Sequence, residues 1–186
     1  MNVWFGIGKA ILVAAFFGVC NVLWVRVAGI RSPWLGLFSM FYFMGIAKSA
    51  EPQLLFRMPS ALRTVGPDLA RRDRQDRWGI RRFGALLRNT PLRYLNSAVY
   101  RTGREQSFSA LSRRLESAEA IHFWAAVLFT PYIAYILSRG LLAEAGLFVL
   151  IQLAFNLYPI LHLRLVRARL TRFQARPGGH AWQENS

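Results

Sequence analysis

The chain has 186 residues, carries a formal net charge of +15 and is 54% hydrophobic. Because 22 of its 24 basic residues are arginines, a nucleic acid has to be considered as a partner. The hydrophobic residues, however, collect in blocks, and nearly every charge lies between or after those blocks, which is typical of an integral membrane protein. This segregation argues against a soluble nucleic-acid binder. The single cysteine, Cys20, excludes a disulfide framework and a cysteine-based metal site.

The first apolar segment runs from about Trp4 to Val25, long enough as a helix to span a bilayer. Trp4 and Trp24 stand at its two ends, where interfacial aromatic residues are expected. A secretory signal is the alternative, since Lys9 precedes the apolar run and small residues follow it. The run of about 16 residues is longer than a usual signal core, so we expect a retained membrane anchor.

The second apolar segment, residues 33–47, is short for a membrane span, because its 15 residues cover only about 22 Å as a helix. Arg26, Arg31 and Lys48 flank it. If all three stay on the cytoplasmic face, the segment is re-entrant; if it crosses the membrane, Arg26 and Arg31 lie outside. The positive-inside bias favours the re-entrant form, and a fourth spanning helix is the alternative.

Residues 51–118 form a basic region in which fourteen arginines lie between Arg57 and Arg114. Aromatic and aliphatic residues alternate with these arginines, which predicts amphipathic helices lying on an anionic lipid surface. The residues on which this prediction depends are Trp78, Ile80, Phe83, Leu86, Leu87, Leu92, Tyr94, Leu95, Val99 and Tyr100. Lipid head groups are therefore the expected partners of this region.

Two further apolar segments, residues 121–137 and 141–163, are joined by Ser138-Arg139-Gly140 and predict a membrane hairpin. We expect an all-α integral membrane protein with three spanning helices, one short re-entrant or fourth spanning segment and amphipathic cytoplasmic helices. Its regions are 1–50 (anchor and short apolar segment), 51–118 (basic), 119–170 (hairpin) and 171–186 (polar tail). Its expected location is the bacterial cytoplasmic membrane, with the basic region and C-terminus in the cytoplasm.

Glu119 and His122 are the first candidates for chemistry, because they are three residues apart and share a helical face at the start of the hairpin. A carboxylate beside an imidazole raises its basicity, as a general base for deprotonating an alcohol requires. The alternative is a pair of interfacial polar residues that cap the helix. We expect no metal site, since a single Glu-x-x-His is half of the paired di-metal motif.

Asn156 and three arginines are candidates for substrate binding. Asn156 is an amide at membrane depth, where a hydrogen bond to another helix is the ordinary role. Arg164, Arg167 and Arg169 lie where the last apolar segment ends, and anchoring to lipid phosphate is the default for such a cluster. The functional interpretation is recognition of a phosphate or carboxylate on a donor substrate.

The order of these features resembles the glycosyl-4,4'-diaponeurosporenoate acyltransferases of carotenoid biosynthesis. The resemblance covers roughly residues 78–170, and a Glu-x-x-His opens the family's hairpin just as Glu119 and His122 do here. The matching runs are Arg77–Phe83, Leu95–Tyr100, Arg114–Trp124, Asn156–Ile160 and Arg164–Leu170. Three positions depart from the family pattern: Leu163, Leu165 and Val166 stand where the family has Gln, Tyr and Asn.

The resemblance implies transfer of a fatty acyl group to a sugar hydroxyl of a glycosylated carotenoid or similar lipid. Glu119 and His122 would be catalytic, Asn156 and the three arginines would bind substrate, and no cofactor is expected beyond an acyl thioester as the donor substrate. The alternative is a non-catalytic accessory subunit of a larger membrane complex, such as a pigment-containing photosynthetic one. Carotenoid and other membrane subunits would then be its partners.

Overall fold

The computed structural model describes residues 3–50, 57–65, 79–90 and 108–174, and within these ranges it contains helices and no strand. The helices are α1 (Val3–Ala28), α2 (Pro33–Ala50), α3 (Ser60–Arg63), α4 (Ile80–Asn89), α5 (Phe108–Ser138), α6 (Leu142–Gln152), a π-helical turn (Leu153–Leu157) and α7 (Tyr158–Gln174). The chain divides into two compact units. The first unit comprises Met1–Arg57 and Ala120–Pro159, and the second comprises Met58–Glu119 and Ile160–Ser186.

Three helical segments are long and apolar enough to cross a membrane: Ile7–Ala28, Phe108–Ser138 and Leu142–Phe173. They coincide with the three spans that the sequence predicted. The second and third extend beyond the apolar blocks, from Phe108 rather than Ile121 and to Phe173 rather than Leu163. Pro131 lies inside α5, which continues past it as one helix.

Glycines end α1 and α5. Gly29 and Gly140 have positive φ angles of 78° and 72°, a left-handed conformation that glycine adopts without strain. After α5, the N–H of Leu141 donates to the carbonyl of Ile136 at 3.3 Å, and the N–H of Gly140 donates to the carbonyl of Leu137 at 2.9 Å. This arrangement is the glycine-terminated helix cap that turns the chain into α6.

The segment at 33–47 forms one continuous 18-residue helix, α2, without a break at which it could turn back. In the first unit α2 packs against α1 and α6. Its start lies beside the start of α6, where Arg31 Nε is 4.0 Å from Glu144 Oε1. Further along, the rings of Phe41 and Phe155 are 5.8 Å apart, so α2 and α6 run in the same direction.

Buried side chains of α2, α5 and α6 form the core of the first unit. Gly36 allows α2 to approach α6 closely, since a Cβ added there would lie 2.5 Å from the ring of Phe148. Ser39 joins α2 to α1 through a 2.8 Å hydrogen bond to Asn21 Oδ1. The core residues are Leu35, Met40, Phe129, Ile136, Ala145, Phe148 and Ile151.

In the second unit the amphipathic segment around Phe83 forms the helix α4, as predicted. Gly84 packs against the imidazole of His162, and the ring of Phe83 meets the same imidazole edge-on at 6.3 Å. The other parts of the predicted amphipathic region at 66–78 and 91–107 lie outside the described residues, and so does the polar tail after residue 174. The first two ranges include Trp78, Leu92, Tyr94, Leu95, Val99 and Tyr100 of that prediction.

Candidate functional site

The carboxylate of Glu119 is the centre of an ion-pair cluster in the second unit. Glu119 is completely buried, and its two oxygens accept hydrogen bonds from two different arginines. Arg164 Nε donates to Oε1 at 2.6 Å, and Arg167 Nη1 donates to Oε2 at 2.5 Å. The two arginines are three residues apart on α7, so one helical face presents both to the same carboxylate.

The same two arginines also hold the short helix α3. Arg164 Nη2 donates to the carbonyl of Leu62, and Arg167 Nη2 donates to the carbonyl of Arg63 at 2.7 Å. These carbonyls belong to the last turn of α3, where backbone acceptors lack helical partners and cations are favoured. Glu116 adds a second carboxylate, 2.9 Å from Arg63 Nε and 3.8 Å from Arg167 Nη2.

Exposure separates the arginines by the roles that they can perform. The side chain of Arg167 is only 9% exposed, whereas that of Arg164 is 25% exposed. Arg169, two residues after Arg167 on α7, is exposed. Arg167 is thus largely enclosed in the cluster, while Arg164 and Arg169 have surface that an anionic molecule could reach.

The imidazole of His122 lies in the first unit, near the Asn156 side chain and the main chain of Phe155. Its Nδ1 is fully buried and makes no hydrogen bond to any residue that the structure describes. The same is true of Asn156 Oδ1. A buried polar atom without a hydrogen bond is costly, so each such atom calls for an explanation, and a catalytic role is one.

The π-helical turn Leu153–Leu157 positions Asn156, which is completely buried. Such a turn accommodates one extra residue in a helix and is frequent at functional sites. Pro159 follows it and has no N–H to donate to the carbonyl of Phe155, four residues earlier. The i→i+5 bonding of a π-helical turn differs from the α-helical pattern in which residue 159 would have to donate.

A chain of side-chain hydrogen bonds leads away from Asn156 toward α5. Asn156 Nδ2 donates to Gln152 Oε1 at 2.7 Å, and Gln152 Nε2 donates to the carbonyl of Ala126 at 2.9 Å and toward Thr130 Oγ1 at 3.5 Å. Sequence reasoning missed Gln152 and Thr130. Gln152 could have been found, because it is a second amide in an apolar block and lies one helical turn before Asn156.

The structure thus groups the predicted residues in two sets. Glu119 lies with Arg164 and Arg167, whereas His122 lies with Asn156. Both carboxylate oxygens of Glu119 accept hydrogen bonds from these arginines, and the orientation of His122 by Glu119 stays a prediction.

The departures from the family pattern fall largely on core positions. Leu163 is completely buried and Leu165 is 5% exposed, so both are packing residues of the second unit, and Val166 is half-buried. Among the described residues, no three His, Cys, Asp or Glu side chains are grouped as a metal site would require.

The chain matches the model of a known protein family. The family model for glycosyl-4,4'-diaponeurosporenoate acyltransferase matches residues 74–176, which is more than half of the chain. No curated protein and no solved structure matches the chain. The matched region includes Glu119, His122, Asn156 and the arginines of α7, and it confirms the resemblance seen at residues 78–170. The chain belongs to the glycosyl-4,4'-diaponeurosporenoate acyltransferase family.

Proposed function

We propose that this protein is a membrane acyltransferase that moves a fatty acyl group from a thioester to a sugar hydroxyl of a glycosylated carotenoid or similar lipid. Family membership over residues 74–176 carries the proposal. Two features support it physically: a histidine among acceptors in an apolar environment, and arginines with accessible surface on α7. No cofactor is required, because the thioester supplies the energy of the new ester bond.

His122 is the proposed general base. It takes the proton of the attacking hydroxyl while the hydroxyl oxygen forms a bond to the thioester carbonyl carbon. As the carbon–sulfur bond breaks, the same proton passes to the departing sulfur, so that the products are an ester and a free thiol. Asn156 is proposed to bind the acceptor beside His122, since its buried Oδ1 can accept a hydrogen bond from a second hydroxyl.

Arg164 and Arg169 are proposed to bind the anionic part of the acyl donor, because both have accessible surface. Arg167 and Glu119 are proposed to keep the arginine face of α7 in place, since both are buried in one ion-pair cluster. This role for Glu119 replaces the orientation of His122 that its spacing suggested.

The proposed location is the bacterial cytoplasmic membrane, with the basic region and the C-terminus in the cytoplasm. Nineteen arginines lie between Arg57 and Arg114 or between Arg164 and Arg176, and only three lie elsewhere. Such a bias sets orientation in multi-pass proteins. Anionic lipid head groups are the proposed partners of these arginines, and the acyl donor is available on the same side.

The test is acyl transfer by the purified protein in lipid vesicles. The reaction contains a long-chain acyl-coenzyme A as the donor and glycosyl-4,4'-diaponeurosporenoate, after which the family is named, as the acceptor. The acylated product is detected by its mass. His122→Ala is expected to lower the rate at least about 100-fold, the usual contribution of general acid–base catalysis. Val127→Ala, an exposed position on the same helix, is the matched control and is expected to retain the parental rate.

Extraction from native membranes in mild detergent, followed by sizing and mass spectrometry, tests the other class of function. A small particle carrying lipid or glycosylated carotenoid supports the enzyme. Retention in a large complex at fixed stoichiometry, together with no acyl transfer, would replace the proposal with an accessory subunit of that complex. A folded His122→Ala protein with the full parental rate would refute the proposed base.

A further inference from the structure

A main-chain carbonyl of α5 fixes the orientation of the Gln152 amide. Gln152 Nε2 lies 2.9 Å from the carbonyl oxygen of Ala126, and a carbonyl can only accept a hydrogen bond. The atom of Gln152 at this position is therefore the nitrogen, because an amide oxygen there would face another acceptor. Thr130 is consistent with this orientation. Its hydroxyl donates to the same carbonyl at 2.8 Å, so it can only accept from Gln152 Nε2, which is 3.5 Å away.

The orientation of Gln152 in turn fixes that of Asn156. With its nitrogen at the Ala126 carbonyl, Gln152 presents Oε1 to Asn156, so the atom of Asn156 that lies 2.7 Å from this oxygen is Nδ2. A reversed Asn156 would bring two amide oxygens together, and a reversed Gln152 would place an oxygen against the carbonyl. Neither amide can turn without losing a hydrogen bond, and Asn156 Oδ1 therefore points away from Gln152.

Asn156 Oδ1 is the end of this chain of hydrogen bonds. Asn156 is completely buried, and its Oδ1 makes no hydrogen bond to any residue that the structure describes. A buried acceptor without a donor is costly, and the fixed amide cannot turn to reduce that cost. Gln152 is only half-buried and Leu157, the next residue along the chain, is exposed, so the amide lies near the surface of the first unit. A ligand that approaches this surface could supply the donor.

We infer that Asn156 Oδ1 accepts a hydrogen bond from a sugar hydroxyl of the acyl acceptor, and that Gln152 is the positioning residue that makes this site selective for a donor. The choice of a sugar rests on the proposed function. A hydroxyl can donate to this oxygen, whereas an ionised carboxylate or phosphate has only acceptors to offer. Asn156 lies in Leu142–Phe173, a segment long and apolar enough to cross a membrane, so a lipid-linked sugar is the hydroxyl compound best placed to reach it.

The ordinary role of polar side chains in membrane helices is to join one helix to another. That role accounts for the hydrogen bonds of Gln152 and of Asn156 Nδ2, which connect α6 and the π-helical turn to α5. It does not account for Asn156 Oδ1, which contributes nothing to the connection. Selectivity for a hydroxyl therefore separates the inferred site from a purely structural one.

Binding of glycosyl-4,4'-diaponeurosporenoate to the full chain in lipid nanodiscs tests the inference in the absence of an acyl donor. Affinity is measured by quenching of tryptophan fluorescence. The sugar hydroxyls of the ligand are replaced one at a time by hydrogen or by fluorine, which can accept weakly but cannot donate. At one hydroxyl, both replacements are expected to weaken binding about tenfold or more, because Asn156 Oδ1 then loses its donor.

Four variants test the role of Gln152. Gln152→Met allows the Asn156 amide to turn, and Asn156→Leu removes the oxygen; in both, the ligand and its deoxy analogue are expected to bind within about threefold of each other. Thr130→Val is expected to have a smaller effect, because its contact with Gln152 is long. Val149→Ala, at an exposed position on α6, is the matched control and is expected to keep the parental ratio of affinities. A purely structural role would lower the melting midpoint of Gln152→Met without changing that ratio.

No binding by the parent, or equal affinities for the ligand and all of its deoxy analogues, would overturn the inference. Binding that is lost with hydrogen but kept with fluorine would also overturn it, since the hydroxyl would then act as an acceptor. An unchanged ratio in Gln152→Met would remove the positioning role. Acyl transfer is measured on the same samples. Hydroxyl-dependent binding without acyl transfer would leave the inference standing and remove the proposed function, and acyl transfer without dependence on a second hydroxyl would do the reverse.

Discussion

Arg167 donates a 2.5 Å hydrogen bond to the completely buried carboxylate of Glu119. Removing one partner of a buried ion pair leaves an uncompensated charge and costs about 3–5 kcal/mol. Glu119→Leu is therefore expected to lower the midpoint of thermal unfolding in detergent by of the order of 10 °C.

Glu144→Gln provides the contrast for this substitution. The Glu144 pair with Arg31 is long, at 4.0 Å, and the Arg31 side chain is 79% exposed. Exposed pairs contribute about 0–1 kcal/mol, so this variant is expected to melt within a few degrees of the parent. Equal midpoints for the Glu119 and Glu144 variants would show that the cluster does not stabilise the second unit.

The contact between α2 and α6 gives a second prediction. A Cβ at Gly36 would lie 2.5 Å from Phe148 and 2.9 Å from Ile151. Phe148 cannot easily move aside, because it is completely buried and stacks on Phe129 and Tyr132. Gly36→Ala is expected to destabilise the protein by about 1–3 kcal/mol, the usual result of overpacking, measured as a lower melting midpoint in detergent.

Gly146→Ala is the matched control, since Gly146 is an exposed α6 residue with nothing within 4 Å of its added Cβ. It is expected to be neutral or slightly stabilising, because alanine is the better helix former. The double variant Gly36→Ala/Phe148→Leu is expected to recover part of the lost stability. If the double variant recovers no stability, the destabilisation by Gly36→Ala does not come from its contact with Phe148.

The membrane helices and the family could be predicted because hydropathy and short motifs are local properties of the sequence. The helix ends could not, since α5 and α7 continue into charged sequence that is still favourable for helix. The hydrogen-bond partners of Glu119 could not be predicted either. Its spacing from His122 is correct for a shared helical face, but the carboxylate accepts hydrogen bonds from arginines that lie 45 and 48 residues further along the chain.

The π-helical turn shows a different limit. It changes the backbone register within an uninterrupted apolar block, and no residue type specifies such a turn. Pro159 and the amide pair Gln152 and Asn156 are the only hints in the sequence of this block. Each is compatible with an ordinary helix, so the π-helical turn emerges only from the folded arrangement.

The close approach of α4 to His162 predicts a third effect, in the second unit. A Cβ at Gly84 would lie 2.6 Å from Cε1 and 3.0 Å from Nδ1 of the His162 ring. Gly84→Ala is expected to lower the melting midpoint by several degrees, since the gain in helix propensity is smaller than the cost of displacing a buried ring. In a His162→Ala background, Gly84→Ala is expected to lower the melting midpoint only slightly further, because the ring that it would displace is gone. Strictly additive effects of the two substitutions would contradict this contact.

The direction of α2 gives the last prediction, which concerns whether the segment crosses the membrane. α2 begins beside the start of α6 and passes Phe148 and then Phe155. It therefore runs alongside Leu142–Phe173, a segment long enough to span the bilayer. With 18 residues it is about 27 Å long, close to the thickness of the hydrocarbon core. This parallel course favours the fourth spanning helix over the re-entrant form.

Single cysteines introduced into a Cys20→Ser background distinguish the two forms. Ser32→Cys, in the turn before α2, and Ser138→Cys, at the end of α5 just before the turn to α6, are expected to react with a membrane-impermeant maleimide from the same side. Lys48→Cys, an exposed position near the end of α2, is expected to react only from the opposite side. Labelling of positions 32 and 48 from one side would restore the re-entrant form, and Arg26 and Arg31 would then share the face of Lys48.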